Sequence, residues 1–243
     1  MSPSEFIPIV EEIGLINQLG EWVLEQSMND FDSMLNSLPP HCNRELYLGV
    51  NLSRRQISDA SFANRLDEIL ERTGFDRSRF RVEMTESGDP RHQQQSLNTM
   101  LQLHESGVGI HIDDFGKGNS SLTCFQSYPI ETVKIDRHFT ASITCDHSHA
   151  VITQAIVQLA HHFNAKIIAE GVESESQLKL LCQWGCDAVQ GYLFAPPMTI
   201  QELRDLLCDP QQSAGIRLLQ DPPMQFKFIA TDTTISSQSI RLG

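Results

Sequence analysis

The amino-acid sequence predicts an α/β protein built on a parallel sheet of the barrel type. Short apolar runs alternate with helical periods along the chain, and strands separated by helices of about 10–15 residues read as βαβ units. The apolar runs end in polar, mostly acidic residues, and in parallel barrels functional groups collect at the carboxyl ends of the strands. The length, 243 residues, suits one such domain.

The elements follow in order. "PSEFIPIVEEIGLINQLGEWVLEQSMNDFDSML" places Ile13, Leu15, Ile16, Leu19, Val23 and Leu24 at helical spacing, with breaks expected near Gly14 and Gly20. "LYLGVNLS" is a buried strand closed by a polar cluster, and "DASFANRLDEILERTG" is an amphipathic helix that stops at Gly74. "RFRVEMTES" is the next strand, and "QQQSLNTMLQLHESG" the next helix. "GIHIDDFG", "ETVKID", "AKIIAEGV" and "DAVQGYLF" complete a set of six strands, the last running to Phe194. "HAVITQAIVQLAHHFN" and "SESQLKLLCQWG" are the helices between the later ones. A closed barrel needs eight strands.

Composition excludes several functions. A net charge of −13 argues against DNA or RNA as a partner, because binding a polyanion by bulk attraction needs a basic face. A phosphodiester can still be bound where cations sit between it and the carboxylates. The six cysteines show no CxxC pair or disulfide framework, which fits a reducing cytoplasm. Cys182 and Cys186 stand four apart on a helix and read as buried small hydrophobes. No apolar run approaches the roughly 18 residues of a membrane span.

The strand ends carry Asn51, Glu83 with Glu86, Asp113 with Asp114, Lys134 with Asp136, Glu170 with Glu173, and Gln190. In a parallel sheet these meet on one rim. Carboxylates and amides are hard oxygen donors, suited to Mg²⁺ or Mn²⁺. Two adjacent aspartates at a strand end repel each other, and cations between them would relieve that. Such a rim suits two-ion hydrolysis of a phosphodiester. Lys134 could orient the attacking water, deprotonate it if its own pKa is depressed, or neutralise transition-state charge. Glu86, Glu173 and Asp136 suit supporting or capping roles, and His147, His149, His161 and His162 read as surface or core residues.

The motifs "FIPIVEEIGLI", "VNLS", "VEMTES", "DDFGKGNSSL", "VKIDRHF", "IAEGVE" and "VQGYLF" follow in the order of EAL domains, from about Phe6 to about Leu207. The sequence thus resembles the bacterial cyclic-di-GMP phosphodiesterases, whose fold is a modified TIM barrel. The resemblance implies that Asn51, Glu83, Asp113, Asp114 and Glu170 bind Mg²⁺ or Mn²⁺. It implies that Lys134 contacts the catalytic water, that Gln190 completes the site, and that Glu86 holds the loop after the aspartate pair. In this family an upstream Glu-Ala-Leu strand supplies another metal ligand. That strand and the one before it would precede Ser2, so the barrel is expected to be incomplete at its N-terminus. The site would then be a two-ion site with one ligand missing, weakened or inactive in hydrolysing cyclic-di-GMP to pGpG. A catalytically inactive module binding cyclic-di-GMP or a protein partner is the alternative. Lys117 and Asn119 replace the family's usual Thr and Tyr in the loop after Asp114.

Residues 1–209 are therefore read as the barrel domain, and 210–243 as a C-terminal tail in which "QFKFIATD" reads first as a frayed end and, alternatively, as a substitute strand over an exposed edge. The strands ending at Asn51 and Phe194 would otherwise leave open edges that invite association. A homodimer or an upstream regulatory domain are the expected protein partners.

Overall fold

The computed structural model describes residues 3–39, 46–85, 93–117, 123–208, 229–234 and 239–242. The first helical stretch divides at Gly14 into α1 (Pro3–Glu12) and α2 (Ile16–Ser37). Gly20 does not break α2, contrary to expectation. A side chain there would collide with the amide of Gln56, so the glycine serves close approach of α2 to the turn below it.

Then β1 (Tyr47–Asn51) leads through α3 (Arg54–Ile57) and α4 (Phe62–Thr73) to β2 (Phe80–Thr85). Helix α5 (Gln93–Glu105) precedes β3 (Gly109–Phe115), and α6 (Thr123–Ser127) precedes β4 (Thr132–Ile135). Helices α7 (Arg137–Thr140) and α8 (His147–His162) lead to β5 (Lys166–Ala169), and α9 (Glu175–Trp184) to β6 (Ala188–Val189). Ser174 and Gln177 form a reciprocal capping box that starts α9.

All six strands pair in parallel, in the order β6-β5-β4-β3-β2-β1, as the alternation of strands and helices predicts. One face of the sheet carries Val50, Phe80, Val82, Ile110, Ile112, Val133, Ile135 and Ile167, which join the main apolar core under the helices. Burying this face fixes the register, because a slip of one residue would drive every ligand-bearing side chain into the core.

The two edges of the sheet end differently. The last strand is only Ala188–Val189; residues 191–194 turn away instead of extending to Phe194. The ladder stops because Leu193 and the Gln190 carbonyl are taken up by hydrogen bonds to Val172, which has already left β5. After β7 (Met198–Thr199) and α10 (Ile200–Cys208), β8 (Ile229–Thr234) lies parallel to β1, with Tyr47 opposite Ile229. Strand β9 (Ser239–Leu242) then pairs antiparallel with both β8 and β7. Of "QFKFIATD", the first part, 225–228, lies outside the described residues. Among the described residues no helix is long and apolar enough to cross a membrane.

The β1–β8 pairing makes a direct prediction. Amide protons of 229–234 that enter ladder bonds should exchange far more slowly than those of an open tail, by native-state hydrogen exchange. Fast exchange throughout that segment would show that β1 keeps an open edge in solution.

Candidate functional site

Alternation along the strands explains why their polar ends converge. Residues paired across a parallel ladder lie on the same face, and successive side chains on one strand point to opposite faces. Asn51 pairs with Glu83, Glu83 with His111, and Thr85 with Asp113. His111 pairs with Thr132, Lys134 with Ile168, and Ile168 with Ala188. Counting by twos from these pairs puts Asn51, Glu83, His111, Asp113, Lys134, Glu170 and Gln190 on the face opposite the helices.

Asp114 should by that count point into the core. It does not follow the count, because the β3–β4 register shifts between Ile112 and Phe115 and Asp114 takes a positive φ of 53°. A bulge combined with a left-handed residue re-aims a side chain at some cost in backbone strain. The Asp114 N–H donates to Asp113 Oδ1 at 2.9 Å, which holds the turn. Carboxylate oxygens of Asp113, Asp114 and Glu170 consequently lie within 4.8 Å of one another, a set that could hold a metal ion.

Lys134 sits beneath that set, 2% exposed. Its Nζ is 2.8 Å from Glu83 Oε2, 2.8 Å from Glu170 Oε1 and 3.4 Å from Asp113 Oδ1. Burial alone would lower the pKa of this amine, but the charges of Glu83, Glu170 and Asp113 outweigh burial and hold it well above the ordinary lysine value. Lys134 is therefore held as a cation among these carboxylates. Burial works against the Glu83 carboxylate as well; Lys134 and His111 overcome it and keep that group below its usual range. Glu170 fares differently. Burial, reinforced by the charge of Asp113, outweighs the pull of Lys134 and pushes its carboxyl up to about 7. One ammonium among three carboxylates leaves negative charge uncompensated, and Glu170 is the group driven toward its protonated form.

The flanking residues divide. Asp136 is buried, caps α7 by accepting from the His138 N–H at 2.8 Å, and lies 3.6 Å from Lys117 Nζ. Lys117 stands equally far, 3.6 Å, from Asp114 Oδ1. The Asp114 carboxyl is raised by burial and by its hydrogen bond with Asp136. Asn51 is exposed at the tip of β1. Gln190 Oε1 is buried with no hydrogen-bond partner among the described residues. Glu173 is exposed, and its backbone N–H donates to Gln177 Oε1. Glu86 and Asn119 lie outside the described residues.

Glycines follow two of the rim residues directly. A Cβ on Gly171, at φ +67°, would sit 2.4 Å from Arg137 Cβ, and one on Gly191 would sit 2.1 Å from the Val172 carbonyl. The bare backbone lets the chain turn sharply just past Glu170 and Gln190. Two residues of the interior went unnoticed in the sequence. His111 and Tyr47 are buried below the rim, edge to face with ring centroids 5.5 Å apart. The spacing of His111, two before Asp113, was the available signal.

The residues present fit a hard divalent cation. They offer oxygen donors in excess of local positive charge, and one buried carboxamide oxygen, Gln190 Oε1, has no hydrogen-bond partner among the described residues.

Comparison with known proteins yields concordant matches. The model for the EAL domain family matches residues 1–197. The bifunctional diguanylate cyclase/cyclic di-GMP phosphodiesterase MucR of Pseudomonas aeruginosa is 38% identical over 203 residues, covering 84% of this chain and 29% of MucR. The cyclic di-GMP phosphodiesterase NbdA of the same organism is 34% identical over 207 residues, covering 85% of this chain and 26% of NbdA. The chain thus spans about a quarter to a third of the length of these curated relatives. Among solved structures, PaMucR phosphodiesterase in its c-di-GMP complex superposes with a TM-score of 0.75 at 39% identity, covering 83% of this chain and 80% of that one. The EAL domain of Mycobacterium smegmatis DcpA gives 0.73 at 32% identity, covering 79% and 85%.

Two outcomes follow from the site geometry. The Glu170 carboxyl, at about 7 in the fold against an ordinary 4.5, stabilises the fold fully below pH 4.5, and that contribution is lost as pH rises through 7. In metal-free buffer Glu170→Gln should therefore melt a few degrees (order of magnitude) above the parent at pH 8 and level with it at pH 4.5, by calorimetry. A lower melting temperature for the variant at pH 8 would mean that the Lys134 pair outweighs burial. Gly191→Ala should lower the melting temperature at every pH, since its Cβ meets backbone that cannot move aside; an unchanged melt would contradict the close approach.

Proposed function

This chain belongs to the EAL domain family, and on that premise we propose that its acidic rim binds Mg²⁺ or Mn²⁺ and acts on the phosphodiester linkages of cyclic-di-GMP, giving pGpG. The observation that carries the proposal is the approach of Asp113, Asp114 and Glu170 oxygens to within 4.8 Å, above a buried and charged Lys134. Relatives named as cyclic di-GMP phosphodiesterases, and the c-di-GMP complex of a structural neighbour, support the choice of substrate.

Asn51, Glu83, Asp113, Asp114 and Glu170 are the oxygen donors proposed to hold the cation. A divalent ion bound there would polarise a phosphodiester oxygen and make a water a stronger nucleophile. Lys134 keeps its proton, so it contributes N–H donation: it orients the attacking oxygen and offsets charge that builds on the phosphorus centre. Gln190, with a carboxamide oxygen free of partners among the described residues, completes the rim. Glu86 and Glu173 are proposed to support the loops beside it, and Asp136 fixes the start of α7 next to Asp114.

Turnover is expected to be weak. Lys134 and Lys117 already lie against the carboxylates, and an incoming cation must compete with both. The same observation favours a second reading, a module that binds cyclic-di-GMP or a protein partner without turnover. A regulatory domain or a second copy of the chain is proposed as the protein partner, in keeping with the much greater length of the relatives.

The test is incubation of this polypeptide with cyclic-di-GMP and millimolar Mn²⁺, following pGpG by chromatography and ligand binding by calorimetry. Slow, metal-dependent pGpG formation that Asp113→Asn abolishes is the expected result. Binding without product selects the second reading. Absence of both, together with no rise of the melting temperature in Mn²⁺, would contradict the proposal.

A further inference from the structure

Below the acidic rim the sheet interior holds a histidine that the chemistry at the rim does not use. His111 lies directly across the ladder from Glu83. Both side chains are sealed from solvent, at 1% and 0% exposure. Glu83 gives Oε2 to Lys134 at 2.8 Å, while Oε1 stands 3.7 Å from His111 Nδ1. Neither Oε1 nor Nδ1 has a hydrogen-bond partner among the described residues, although each faces the other.

Two buried polar atoms left unpaired forfeit their hydration without return, so a small closure between them is strongly favoured. An imidazole nitrogen facing a carboxylate oxygen closes that gap only as a donor, with the ring proton on Nδ1. The ring is already held for this, since Tyr47 presses edge-on against it with centroids 5.5 Å apart.

We propose that His111 is a positioning residue for Glu83: as the neutral Nδ1–H imidazole it donates to Oε1, fixes the carboxylate plane and turns the Oε2 edge toward Lys134 and the bound cation. The inference rests on the metal-binding reading of the rim. Lys134 cannot do this alone, because its ammonium is shared with Glu170 and Asp113. A carboxylate held at one oxygen swings; held at both, it does not. Outer partners of metal ligands are typically worth about 10–100-fold in metal affinity.

The test measures Mn²⁺ affinity from the paramagnetic resonance of the free ion, for the full chain and its variants. His111→Leu fills the ring's space without a donor and should weaken binding about tenfold or more. His111→Asn places an amide N–H near the Nδ1 position and should recover most of that loss, which a purely packing role would not produce. Long-range ¹⁵N–¹H spectra of the parent should show His111 as the Nδ1–H tautomer. Should His111→Leu fail to fold, the tautomer and the His111→Asn affinity decide. Parent-like affinity in His111→Leu, tenfold-weakened binding in His111→Asn, or an Nε2–H tautomer overturns the proposal; where Asp113→Asn still abolishes binding, the metal-binding reading survives it. A parent that binds no Mn²⁺ overturns both.

Discussion

The shared ammonium of Lys134 is the interaction on which the site depends. Three carboxylates, from β2, from β3 and from the residue just past β5, converge on one buried cation. Removing the lysine would leave Glu83 buried and charged with no cation against it, a condition proteins avoid because desolvating an unpaired ion costs several kcal/mol. The arrangement is also incomplete by charge. Glu83 is held ionised, Glu170 is pushed toward neutrality, and the Asp114 carboxyl is raised. A protein that needed only stability would replace such a group with apolar side chains. Retaining an excess of negative charge makes sense where another cation is to be received.

The geometry that creates this excess is dictated locally. A strand alternates its side chains, so adjacent aspartates should part company, one into the core and one to the rim. The bulge in β3 and the left-handed Asp114 bring them together. The aspartate N–H that turns back onto Asp113 Oδ1 and the cap that Asp136 gives to α7 secure the two sides of the turn. Strain of this kind persists only where the surrounding structure over-determines it, and here the flanking ladders and the apolar core beneath do so.

Much of this was legible in the residues. Alternation and strand-end chemistry were enough to place Asn51, Glu83, Asp113, Lys134, Glu170 and Gln190 on one face, because the period of two is fixed by the strand. Other features were hidden for physical reasons. Gly20 looks like a helix breaker, yet its role is set by the Gln56 side chain, 36 residues further along the sequence. The length of the last strand could not be read, since "QGYLF" has the composition of a strand and leaves the sheet only because Val172 draws its backbone away. The charge state of Lys134 depends on three long-range contacts, and a sequence permits either a depressed or a raised pKa. His111 was visible by spacing but unremarkable, because burial beside Glu83 appears only in three dimensions.

The proposed cation site at the rim has Lys134 as its floor. Anomalous diffraction from crystals soaked in Mn²⁺ tests it most directly. A peak among the oxygens of Asp113, Asp114 and Glu170, with Lys134 Nζ still against Glu83, is the result predicted. Crystals that take up Mn²⁺ only elsewhere, with the three carboxylates still gathered on Lys134 and Lys117, would contradict it.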